Sequence, residues 1–116
     1  MKLWIDDVRP APEGFIWCKS VNEAKRAILD FEAYLYGGLD EMDFDYLDYC
    51  VEGEENILDI DHDAGDFAYD GGDYIRLLDW LEFTGRNYPI RIHSMNVVGR
   101  MNMRAIIQKN GWKEVR

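Results

Sequence analysis

The chain contains two histidines, and both fall in short polar motifs directly after apolar runs: His62 in Asp61-His62-Asp63 and His93 in His93-Ser94-Met95-Asn96. Imidazole titrates near neutral pH, so a pair of them across a cleft supplies an acid and a base for cleaving a phosphoester. The alternative for each ring is a hydrogen-bonded cap at a strand end. Asp6 and Asp7 close another apolar run, and with Asp61 they form a set of carboxylates suited to a hard divalent cation, Mg²⁺ or Mn²⁺, which keeps waters for a phosphate to replace. In a chain with 23 acidic residues, solvated loop carboxylates are the plainer alternative.

Ser94 and Asn96 offer hydrogen bonds to a phosphate. The helix beginning near Val98-Gly99-Arg100 offers free backbone N–H groups and the positive end of its dipole. Arg9 and Arg100 complete the cradle, although Arg100 and Arg104, four residues apart, equally suit the solvent face of a helix. Asp61 is also open to a covalent phosphoacceptor role, because an Asp nucleophile and an Asp ligand look alike in sequence. There is no Walker loop, dinucleotide glycine fingerprint or nucleophile elbow. The Asp-rich stretch from Asp61 to Asp73 lacks the alternating ligands and closing Glu of a calcium loop.

These residues need elements to carry them. Lys2 to Ile5 reads as a buried strand ending in acids, and the two prolines and glycine of residues 9–14 forbid a regular helix after it. Phe15 to Cys18 is a second strand. Ser20 and Glu23 form a capping box ahead of a helix on Val21, Ala24, Ala27, Ile28, Phe31 and Leu35, which should stop near Gly37-Gly38. Residues 37–56 read as an acidic insertion with no clean period. Asn56 to Asp63 is a third strand that runs into acids, Tyr74 to Leu81 a helix capped by Gly85, Ile90 to His93 a fourth strand, and Val97 to Gln108 a helix ended by Asn110-Gly111. Trp112 to Val115 serves as a fifth, edge strand. Strands separated mostly by helices predict a largely parallel α/β sheet of flavodoxin-like order 2-1-3-4-5, whose strand ends bring Asp6, Asp7, Asp61, His62, Asp63, His93 and Ser94 together.

At 116 residues the chain is one domain, and 47% hydrophobic residues predict a packed core. No apolar run approaches the roughly 20 residues that span a bilayer, and the N-terminus carries acids where a signal peptide is apolar, which predicts a cytoplasmic protein with no membrane partner. Cys18 and Cys50 read as free, reduced thiols. The net charge of -10 argues against nonspecific capture of duplex DNA. Between Asp40 and Asp73 there are 14 acids and no Lys or Arg, whereas Phe83 to Arg116 holds seven basic residues and one acid. The aromatic and acidic segment 40–55 is either a solvated lid or a surface for a basic protein partner.

The pattern of paired acids after strand one, acids after strand three and a hydroxyl after strand four resembles the receiver domains of two-component signalling. That likeness implies a three-layer sandwich, with paired acids for Mg²⁺, a phosphoacceptor at Asp61 or Asp59, and Ser94 reading the phosphoryl group. The first and last receiver helices are missing, and Lys113 comes early in strand five rather than at its end. IDDVRPAPEG at 5–14, DIDHD at 59–63 and RIHSMNVVGRMNM at 91–103 are more specific and resemble the cyclic-phosphate-processing branch of receiver-like domains. Asp6, Asp7, Arg9, Asp61, His62, Asp63, His93, Ser94, Asn96, Gly99 and Arg100 match those motifs. The resemblance implies processing or recognition of cyclic phosphates, and the residues themselves favour a metal-assisted hydrolase that opens the cyclic phosphate of a nucleotide or an RNA end. Asp6, Asp7 and Asp61 would hold the metal, His62, His93 and Asp63 the catalytic roles, and Arg9, Ser94, Asn96, Gly99 and Arg100 the phosphate. A binding sensor without turnover and an acidic interaction protein are the other readings.

Overall fold

A computed structural model describes residues 1–36 and 56–116. The strands β1 (Lys2–Ile5), β2 (Ile16–Cys18), β3 (Ile57–Ile60) and β4 (Ile90–Ile92) pair in parallel in the order β2-β1-β3-β4. Among the described residues three α-helices connect or follow them: α1 (Val21–Tyr36), α2 (Ile75–Thr84) and α3 (Val97–Asn110). The expected end of the first helix at Gly37-Gly38, the insertion and Cys50 lie outside the described residues.

The expected fifth strand is reduced to a single bridge between Ile90 and Glu114. Gly111 turns the chain in a left-handed conformation and Trp112 docks into the core, so the segment meets β4 only at its first residue. There the Ile90 N–H donates to the Lys113 carbonyl and the Val115 N–H to the Ile90 carbonyl. Lys113 therefore sits at the start of β4, away from the strand end that carries His93.

The expected third layer is also not found among the described residues. Strand alternation sends Leu3, Ile5, Leu58, Ile60 and Ile90 to one face, where all five are fully buried with Val21, Ala24 and Ile28 of α1, Leu77, Leu78 and Leu81 of α2, and Met103 and Ile107 of α3. Right-handed crossovers running from β2 to β3 and from β3 to β4 advance in the same direction across the sheet, so their helices share a face. The opposite face presents Lys2, Trp4, Asp59 and Arg91, and the β1–β2 connection that would carry a helix there holds Pro10 and Pro12 instead. This bears out the missing first helix and explains the loss of the layer.

The capping box forms as expected. Ser20 Oγ accepts the Glu23 N–H at 3.0 Å, and Glu23 Oε2 accepts the Ser20 N–H at 3.0 Å. Cys18 is a buried thiol whose pKa burial pushes up to about 12. It is therefore expected to resist alkylation at pH 8 until the protein is unfolded, and labelling of Cys18 in the native state, read by peptide mass, would contradict that burial.

The turn before β4 is tied to α1 by Glu32. Its carboxylate accepts from Arg86 Nε at 3.0 Å, Arg86 Nη2 at 2.7 Å and the Tyr88 hydroxyl at 2.5 Å. Burial pushes the Glu32 carboxyl up, but Arg86 and Tyr88 outweigh it and the net displacement is downward. A carboxyl lowered on folding stabilises fully above its unfolded pKa, about 4.3 for Glu. It loses that contribution as pH falls through the lower folded value. Denaturant unfolding at pH 7 and pH 3 is expected to show a Glu32→Gln deficit at pH 7 that shrinks at pH 3. An equal deficit at both would contradict the linkage.

Candidate active site

The strand register sets the site. Ile5, Ile60 and Ile92 are the last paired row, so Asp6, Asp61 and His93 stand side by side one residue past it. Their backbone N–H groups still donate along the sheet, Asp6 to Cys18, Asp61 to Ile5 and His93 to Ile60. Asp6 and Asp61 are buried, at 0% and 9% exposure.

Asp6 also builds the turn that follows. Its Oδ1 accepts the N–H groups of Val8 and Arg9, each at 2.9 Å. Two indoles staple the same loop, Trp4 Nε1 donating to the Arg9 carbonyl at 2.8 Å and Trp17 Nε1 to the Asp6 carbonyl at 2.7 Å. Burial raises the Asp6 carboxyl, but those two N–H groups and His93 more than reverse this, leaving it below the ordinary range.

His93 lies between two carboxylates. Nε2 is 2.9 Å from Asp6 Oδ2 and Nδ1 is 2.7 Å from Asp59 Oδ1. Trp4 stacks on the ring with centroids 3.9 Å apart and planes 2° from parallel. Arg9 supplies positive charge from the loop, with Nε 3.4 Å from Asp6 Oδ2 and Nη2 3.7 Å from Asp61 Oδ2. Asp61 lies one residue past the end of β3, whereas Asp59 lies inside it.

His62 belongs to a second group. Its Nδ1 is 2.8 Å from Asp63 Oδ1, and its ring packs on Gly99 so closely that a Cβ there would overlap it. Its backbone is pinned by the Tyr74 N–H, which donates to the His62 carbonyl, and the loop is closed by Asp73 accepting the Ala64 N–H at 3.0 Å. Among the described residues His62 Nε2 has no bonding partner. The hydrogen bond from His62, ahead of a small burial effect, holds the Asp63 carboxyl below the ordinary value.

Asn96 caps α3, its Oδ1 accepting the Gly99 N–H at 2.9 Å, and its Nδ2 reaches Asp63 Oδ2 at 3.3 Å. Ser94 is buried, with Oγ accepting the Asn96 N–H at 3.0 Å. Arg100 is exposed on the first turn of α3.

The structure thus brings Asp6, Asp61 and His93 into one group and His62, Asp63, Asn96 and Gly99 into another; the two rings have separate partners. Three ligand atoms, one each from Asp6, Asp61 and His93, lie within 4.8 Å of one another, a set able to hold a metal ion. Asp7 stands beside that set, its carboxylate against Gly65. Burial raises the Asp7 carboxyl, and the charges of Asp6, Asp61 and Asp66 raise it further. Trp4 has no place in the sequence-level site, and Asp59 enters there only as a rival acceptor. The period of two was the available signal, because Trp4 and Asp59 stand two residues before Asp6 and Asp61 and face the same way.

A parallel sheet with acids past β1 and β3 and a hydroxyl past β4 defines a receiver-like α/β domain. More narrowly, the chain belongs to the cyclic-phosphate processing receiver domain family, whose model matches residues 1–109. No curated protein and no solved structure matches it. Among the described residues no helix is long and apolar enough to cross a membrane.

Proposed function

We propose that this chain is a phosphoesterase that opens a cyclic phosphate of a nucleotide or an RNA end at the strand-end groups. The observation that carries the reading is His62, held at Nδ1 by Asp63 and packed on Gly99 at the start of α3. In ring opening, water forms a new P–O bond, one ester P–O bond breaks, and the leaving oxygen takes a proton. His62 carries that proton at Nε2, and Asp63 stabilises the imidazolium, as a carboxylate does for a catalytic histidine elsewhere. Arg9, Arg100, the Ser94 hydroxyl and the first N–H groups of α3, near Gly99 and the Asn96 cap, hold the phosphoryl oxygens.

A divalent cation at the acids would polarise the phosphoryl group. His93, fixed at Nδ1 by Asp59 and turned with Nε2 toward the acids, belongs to the acidic group, which leaves the proton transfer to His62. Val8, Met95, Val97 and Val98 are exposed next to these residues and suit the organic part of a nucleotide better than free inorganic phosphate.

Phosphorus NMR of a panel of 2′,3′- and 3′,5′-cyclic nucleotides and cyclic-ended RNA, with and without Mn²⁺, tests the proposal. A new monoester resonance is expected with one class of substrate. Shifted or broadened ligand signals without product would overturn hydrolysis in favour of a sensor.

A further inference from the structure

The likeness to receivers implies a cation held by Asp6, Asp7 and Asp61, all oxygen donors. The donors that converge are different: Asp6, Asp61 and the His93 imidazole, with Asp7 outside. We infer that this is a mixed nitrogen and oxygen site, with His93 Nε2 as the third ligand, and that it takes a divalent transition metal of the Mn²⁺, Co²⁺ or Zn²⁺ class in preference to Mg²⁺. The inference rests on the strand-end group being the functional site and not on hydrolysis.

Two observations beyond the cluster itself support it. The first is how His93 is held. Asp59, 2% exposed, binds Nδ1 at 2.7 Å, and Trp4 covers one ring face, so the ring plane is set and Nε2 is aimed at the carboxylates. A carboxylate on the far nitrogen is the arrangement that orients metal-ligating histidines and raises their basicity. The second is charge. Asp6, Asp59 and Asp61 are three buried carboxylates, and the two arginines that approach them are about half exposed, Arg91 no closer than 3.9 Å to Asp59. Buried negative charge in this excess calls for a cation.

The preference follows from the donors. Mg²⁺ demands oxygen ligands and keeps its waters, whereas imidazole suits the later divalent metals, whose affinity for a nitrogen and oxygen site rises along the series. Asp59 is a positioning residue here, acting on the metal through His93.

The test is pulsed EPR of the protein loaded with Mn²⁺ alone, with Mg²⁺ as competitor. Nitrogen modulation from one imidazole is expected, absent in His93→Gln and retained in Asp7→Asn. A 100-fold excess of Mg²⁺ should leave most of the Mn²⁺ bound, and Asp59→Asn should weaken Mn²⁺ binding about 10–100-fold with the nitrogen signal still present. Absence of nitrogen coupling in the wild type, its persistence in His93→Gln, its loss in Asp7→Asn, or displacement by equimolar Mg²⁺ would overturn the assignment. Should His93→Gln fail to fold, the Asp7→Asn spectrum and the Mg²⁺ competition still decide. Nitrogen-coupled Mn²⁺ without turnover of any cyclic phosphate would leave this site standing and remove the hydrolase reading alone.

Discussion

His62→Ala is expected to lower turnover of a cyclic phosphate by about 10²–10⁴-fold, the usual contribution of a positioned acid or base. The fold should survive, because His62 lies past the end of β3 and outside the hydrophobic core cluster. Its ring contacts are Asp63, Asn96 and the Gly99 surface, none of which supports the sheet. The proper readout is kcat/KM beside a thermal melt, since loss of both together would mean only that the protein had unfolded. Asp63→Asn should fall between wild type and His62→Ala, because the ring would keep a hydrogen-bonding neighbour but lose the carboxylate that stabilises its charged form. Undiminished kcat/KM in His62→Ala would remove the histidine from the chemistry.

Gly99→Ala should also lower activity. Inside an ordinary exposed helix the change stabilises by about 0.8–1 kcal/mol, because Ala is the better helix former. Gly99 is buried in the first turn of α3, and the His62 ring occupies the space a Cβ needs, its Cγ, Cδ2 and Nδ1 all lying within overlap distance. Either the ring leaves its Asp63 partner or the start of α3 moves, and both misplace the proton carrier. Activity is expected to drop by at least about tenfold, since displacements of an ångström at a reacting centre can cost about 100-fold. The melting temperature should not rise. A Gly99→Ala protein that is both fully active and more stable would show that the glycine is not needed for this close approach.

Much of the scaffold was legible because it is governed by local rules. The capping box at Ser20 and Glu23, the glycines that end α2 and α3, and the proline-rich connection without a helix all read directly from residue types. The order of the four strands also matches the flavodoxin-like expectation. Two features of the architecture did not read through. Trp112 to Val115 has the composition of a strand, yet its pairing depends on where the Gly111 turn delivers it, and it reaches β4 at one residue. The three-layer expectation came with the resemblance, whereas the layers depend on which face each connection crosses.

The site was legible as a set of strand ends but not as a partition among them. Asp6 and Asp7 look equivalent in sequence. One-residue alternation sends only Asp6 into the row with Asp61 and His93, leaving Asp7 against Gly65. Likewise His62 and His93 look like a matched pair, yet His93 is level with Asp6 and His62 one residue higher, beside the start of α3. Asp59 and Trp4 were hidden because their role comes from pairing across strands: Trp4 aligns with Asp59, and Asp59 with Arg91.

The most direct measurement is the phosphorus NMR time course of a cyclic nucleotide with the wild-type protein, His62→Ala and Asp6→Asn side by side, each checked for fold by circular dichroism. Conversion to the monoester by the wild type, and by neither folded variant, is the expected result. Conversion at the wild-type rate by both variants would contradict an active site at the strand ends.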